Sequence, residues 1–161
     1  MTSSESKHLV LVIAPTGIAA FNINGATIHS TLSIPIINKQ SYEIDGNKLK
    51  KLQERLHNII YFIIDEKSMV GRRMMGLINM RLRQAFPENK DEPFGGRSII
   101  MFGDFGQLPP VLDVPMYAND ISHDTNSNNG IASYKQFREV YKLDVVQRQS
   151  GESEEQRSFR T

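Results

Sequence analysis

The chain has 161 residues, 39% of them hydrophobic and 23% charged, with a formal net charge of +1 and no cysteine. This is enough chain for one domain with a real core; it excludes disulfides, thiolate metal sites and a global field for polyanions, so any nucleic-acid surface is a local patch. No apolar run approaches the roughly 20 residues of a membrane span, and the polar start MTSSESKH lacks a hydrophobic signal core, which points to an intracellular protein.

In chain order, HLVLVIA (8–14) is a short apolar run closed by Ala14-Pro15 and reads as a buried strand. TGIAAFNI follows as a helical turn with Thr16 as its cap. NGATIHSTLSIPI is turn-rich and then apolar, and 45–57 reads as a helix with a lysine-rich outer face. IIYFIID (59–65) is the clearest buried strand. From Val70 to Ala85 the pattern is an amphipathic helix. Val70, Met74, Leu77, Ile78, Leu82 and Ala85 fall on one stripe, with Arg72, Arg73, Arg81 and Arg83 mostly off it. FPENKDEPFGG is a loop, and RSIIMFGD (97–104) a third buried strand. The stretch 113–130 is polar and rich in Asn and Ser, which predicts a surface loop. SYKQFREV then reads as helical, YKLDVV as a fourth strand, and the segment from Gln147 as a charged, open-ended tail.

Strands alternating with helices predict an α/β domain with a mostly parallel sheet, and continuous apolar strands predict cover on both faces. Ligands of such sheets bind at the carboxyl ends of the strands. Asp65 and Glu66 stand at one such end and Asp104 at another. An acid ending a hydrophobic strand recurs in phosphate-transfer proteins, where it holds Mg²⁺ beside the phosphates, and a second acid beside it deprotonates or orients the attacking water. A polar residue also simply marks where a strand leaves the core, so the pair alone does not decide. GDFGQLPPV adds a loop stiffened by Pro109-Pro110, which supports Gln107 at the same edge. APTGIAAFNINGATIHS, also leaving a strand, offers Thr16, Asn22, Thr27, His29 and Ser30 as short polar contacts of the kind that suit a nucleic-acid backbone. His29 by itself reads first as a structural histidine, and Phe21 as core before base-stacking platform.

Taken in order, these strings resemble the Pif family of ATP-dependent DNA helicases, members of helicase superfamily one that move 5′ to 3′ on single strands. The resemblance runs from about residue 9 to about 149, nearly the whole chain. APTGIAAFNINGATIHS is similar to the DNA-contacting motif Ia region, IIDEKSMV to motif II (the Walker B element), PFGGRSIIMFGDFGQLPPV to motif III with its lead-in, and LDVVQRQ (143–149) to motif IV. It implies a RecA-like P-loop NTPase fold, with 1–140 as part of the first RecA-like domain and 141–161 as the start of a second. It implies ATP and Mg²⁺ as cofactors. Asp65 would hold the metal, Glu66 would be the catalytic base, Gln107 would sense the γ-phosphate, and Arg148 would reach that phosphate across the cleft. Pro15, Thr16, Gly17, Thr27, His29 and Ser30 would lie along single-stranded DNA. The implied partners are single-stranded DNA and duplex junctions. The implied roles are repair, recombination and telomere maintenance in the nucleus or mitochondrion.

The chain departs from the pattern in three places. Lys67 stands where an apolar residue is usual, and Gly106 where an aromatic one is common, which predicts a looser motif III loop. No Gly-Lys-Ser or Gly-Lys-Thr of a phosphate-binding loop occurs in the 161 residues. The expectation is therefore an internal piece of a helicase, inactive alone. The alternatives are a non-catalytic nucleic-acid-binding remnant and the helicase module of a rolling-circle transposon.

Overall fold

The computed structural model describes residues 9–36, 42–118 and 124–143. Four strands form one parallel sheet in the order β2-β1-β3-β4, with β1 at Val10–Ala14, β2 at Ala26–Thr27, β3 at Tyr61–Ile64 and β4 at Ser98–Met101. The helices are α1 (Gly17–Asn22), α2 (Ile28–Thr31), α3 (Gly46–Leu56), α4 (Arg72–Ala85) and α5 (Thr125–Tyr134). The fold is the expected α/β class with a parallel sheet.

Local chemistry explains most boundaries. Thr16 caps α1 by accepting the Ala19 N–H at 3.2 Å, as its sequence position predicts. Asp45 caps α3 by accepting the N–H groups of Asn47 and Lys48. Helix α4 begins at Gly71, which has no side chain to cap it. Its cap is Asp113, far along the chain, whose carboxylate accepts the N–H groups of Arg73 at 3.1 Å and Met74 at 3.0 Å.

Register determines the core. Leu11, Phe62 and Ile99 stand side by side, as do Ile13, Ile64 and Met101. These residues join Ile28, Leu32, Leu52, Leu56, Met75, Ile78 and Leu82 in the main hydrophobic cluster, so α2, α3 and α4 cover this face. The alternate residues are open: Val10 is 45% exposed and Tyr61 and Ile100 are each 43% exposed. At the end of β1 a separate small cluster of Ala14, Ala19 and Ala20 seats α1. Among the described residues the second face is therefore covered only in part: α1 buries Ala14 at the end of β1, Val12 and Ile63 are half-buried, and the rest is open.

Four further readings are corrected. The predicted loop at 113–130 contains the first half of α5, capped by Asp124 on the Asn126 N–H at 3.0 Å. Its backbone lies directly on α4, where a side chain at Gly76 would overlap the Asn126 carbonyl and one at Gly130 the Arg72 carbonyl. Polarity misled because Asn, Ser and Gly here allow close helix contact. SYKQFREV is helical only to Tyr134, and the described part of YKLDVV, 141–143, is not a strand. In α4, Arg72 and Arg81 are buried and Met75 is fully buried in the core while Met74 packs against it half-buried, because α3, α5 and the turn Pro93–Gly96 together enclose a wide arc of this helix. Arg81 keeps hydrogen bonds to Gln84 at 2.7 Å and to the Tyr42 carbonyl at 3.0 Å, while burial pulls its pKa down from the usual arginine range.

Candidate functional site

The carboxyl ends of β1, β3 and β4 lie in register at one edge of the sheet. The Asp65 N–H donates to the Ile13 carbonyl at 2.9 Å, so Asp65 is still anchored to β1 as the chain leaves β3. Glu66 follows in the left-handed region at φ 52°, a conformation costing a non-glycine residue of order 1 kcal/mol. Its carbonyl accepts the Met69 N–H at 3.0 Å, which closes the 3-10 turn Lys67–Met69. Both acids are half-buried, and no described residue makes a hydrogen bond or salt bridge to either carboxylate. Two uncommitted carboxylates are held on a fixed backbone.

The chain leaving β4 is laid directly on this turn. The Lys67 N–H donates to the Phe102 carbonyl at 2.8 Å. Gly103 has φ 130°, and a Cβ there would sit 2.8 Å from the Lys67 nitrogen and 3.3 Å from the Glu66 Cα, so only glycine fits. Asp104 is a structural acid in the protein: its carboxylate accepts the Gly106 N–H at 2.9 Å and its carbonyl the Gln107 N–H at 3.1 Å. The expected loosening at Gly106 is offset by this turn. Gln107 is exposed beyond it, with Leu108, Val111 and Leu112. The loop is stapled again at its far end, where Asp113 caps α4 and the Arg72 N–H donates to the Val114 carbonyl at 2.8 Å. Motif II and the motif III loop are thus one mechanical unit. Asp113 was missed from sequence because a capping carboxylate 40 residues away from the N–H it accepts leaves no local pattern.

Leaving β1, Pro15, Thr16 and Gly17 lead into α1, and Thr27, His29 and Ser30 bracket the start of α2. The hydroxyls differ in availability. Thr27 donates to the Ser30 hydroxyl at 2.9 Å, and Ser30 donates to the Thr27 carbonyl at 3.1 Å. Thr16 only accepts, so its hydroxyl hydrogen has no partner among the described residues. Partial burial lowers the His29 pKa, so the ring is neutral near pH 7. The strip 15–30 contains no lysine or arginine. Arg55 of α3, which the sequence reading passed over, brings a guanidinium to its border, on the carbonyls of Ser30 and Thr31. Phe21 is 82% exposed, not core. Arg148 and most of LDVVQRQ lie outside the described residues.

The donor set suits a hard cation only in part. No group of three or more His, Cys, Asp or Glu side chains converges among the described residues. One carboxylate such as Asp65 matches Mg²⁺, which keeps waters and takes its remaining oxygens from phosphates.

A family model described as PIF1-like helicase matches residues 2–160. The chain is 39% identical over 104 residues to the ATP-dependent DNA helicase Pif1 of Psychrobacter sp. (strain PRwf-1), covering 63% of this chain and 16% of that protein. Among solved structures, Bacteroides Pif1 bound to ssDNA is 39% identical with a TM-score of 0.57, covering 68% of this chain and 25% of that one. The Bacteroides sp. Pif1 complex with ADP-AlF4 is 42% identical, again with a TM-score of 0.57 and coverage of 68% and 25%. The chain thus spans about a sixth to a quarter of the length of these relatives.

Proposed function

This chain belongs to the PIF1-like helicase family, and on that premise we propose that it supplies the acid-bearing and DNA-facing parts of an ATP-dependent helicase that moves 5′ to 3′ on single-stranded DNA and opens duplex junctions. The observation that carries the reading is the pair of uncommitted carboxylates at the exit of β3, locked against the loop that carries Gln107. In this reading residues 1–140 belong to the first RecA-like domain and 141–161 begin the second.

Asp65 would hold Mg²⁺, which would supply positive charge beside the phosphates of ATP. Glu66 accepts a proton from the attacking water, and its fixed backbone limits where that water stands. Gln107 sits on the neighbouring strand exit, so a shift at the γ-phosphate passes to the motif III loop. Arg148 reaches the same phosphate from the second domain and neutralises developing charge. Pro15, Thr16, Gly17, Thr27, His29 and Ser30 line the strand's backbone. Of the three hydroxyls, Thr16 has the hydrogen to donate, and neutral His29 adds no charge. Repair, recombination and telomere maintenance, in the nucleus or mitochondrion, are the matching cellular roles.

The test is Glu66→Gln in the intact polypeptide that carries this domain. ATP hydrolysis is expected to fall about 10²- to 10⁴-fold with ATP binding retained; unchanged hydrolysis would falsify the role of Glu66.

A further inference from the structure

Lys67 follows two carboxylates yet pairs with neither. No salt bridge joins it to Asp65, Glu66 or Asp104 among the described residues. Its ammonium instead lies 4.7 Å from the centroid of the Phe105 ring. That ring is itself fixed, edge-on to Tyr117 with centroids 5.3 Å apart and to Tyr134 at 6.4 Å. A cation over an aromatic face is held by the ring quadrupole, and the hold strengthens as water is excluded. The same residue's N–H binds the Phe102 carbonyl, so Lys67 grips the motif III loop at two points, three residues apart.

We infer that Lys67 is a positioning residue: seated on Phe105, it latches the loop carrying Gln107 to the turn carrying Glu66, and it keeps its own charge off Asp65. An apolar residue here, as in the resembled pattern, packs on the ring without its directionality. A lysine paired with Asp65 would compete with a metal for that carboxylate. The latch resolves both demands. It rests on the proposed function for its kinetic consequence, though not for its geometry.

Two sets of measurements test it. In the intact polypeptide, Lys67→Gln and Phe105→Leu are each expected to lower the kcat of DNA-stimulated ATP hydrolysis about two- to tenfold, the span of such contacts from exposed to half-desolvated. KM for ATP stays unchanged, Lys67→Arg restores kcat, and the double variant is no slower than either single one. A raised KM in Lys67→Gln with normal Phe105→Leu places the ammonium on a phosphate and overturns the latch, as does unaltered kcat in Lys67→Gln. Independently of activity, NMR of the 161-residue chain is expected to show the Lys67 ε-methylene protons shifted upfield by the ring, an effect lost in Phe105→Leu. Absence of that shift also overturns it. If the parent polypeptide shows no Glu66-dependent hydrolysis, the functional reading fails while the ring-current result still decides the latch.

Discussion

Strands β1, β3 and β4 present two faces made of the same kinds of residue, and the two have different fates. Leu11, Ile13, Phe62, Ile64, Ile99 and Met101 are packed by α2, α3 and α4. Val10, Tyr61 and Ile100, one residue out of phase on the same strands, stay more than two-fifths exposed. Parallel sheets normally bury both faces. The comparison teaches that strand composition specifies the capacity to be buried, while the elements stacked on each side determine which face contributes to stability.

The largest expected effect lies on the filled face. Phe62 is fully buried, so Phe62→Ala should cost about 3–5 kcal/mol in urea unfolding. Ile100→Ser on the other face should stay within about 0.5 kcal/mol, the usual range for surface positions. Equal losses would break the comparison and show that the second face is covered in solution.

Next comes the layer over α4. Gly130→Val introduces a side chain where the Arg72 carbonyl already lies, and such overpacking typically costs about 1–3 kcal/mol. Gly17→Ala, with nothing within 4 Å of its Cβ position, is the matched control and should leave the urea midpoint almost unchanged.

The smallest effect concerns His29, at the edge of the filled face. Its folded pKa lies below the usual 6.5 because burial disfavours the charged ring. Above 6.5 both folded and unfolded forms are neutral and pH has no effect through this group. As pH falls below 6.5 the unfolded chain takes up the proton first, so stability declines until the folded pKa is passed. His29→Gln should flatten the slope of Tm against pH in that window; an unchanged slope would assign the dependence to other groups.

The acid pair and its surroundings show how far sequence reading reaches. Asp65, Glu66 and the loop to Gln107 were legible because each follows a short apolar run, and strand exits are local features. The way the two are joined was not legible. Gly103 reads as one more loop glycine until its Cβ position falls on Lys67, and Asp113 reads as loop polarity until it caps α4. Phe21 was misjudged for the same reason: an aromatic residue after two alanines looks like core, yet α1 turns Ala19 and Ala20 inward and leaves Phe21 in solvent.

By itself the sequence determined strands β1, β3 and β4, the capped start of α1, the helix α3, the α/β class and the order of the family's strings, because these depend on side-chain period, on capping chemistry within a few residues and on residue identity; the two-residue strand β2 left no such period. Only the tertiary structure decided which sheet face is filled, that the polar stretch after 113 contains a helix laid on α4, that Arg72 and Arg81 are buried, and that Lys67 turns from the acids to Phe105. Each of these depends on a neighbour distant in the chain, and the free energy of a contact belongs to the pair of groups that meet, not to either stretch of sequence alone.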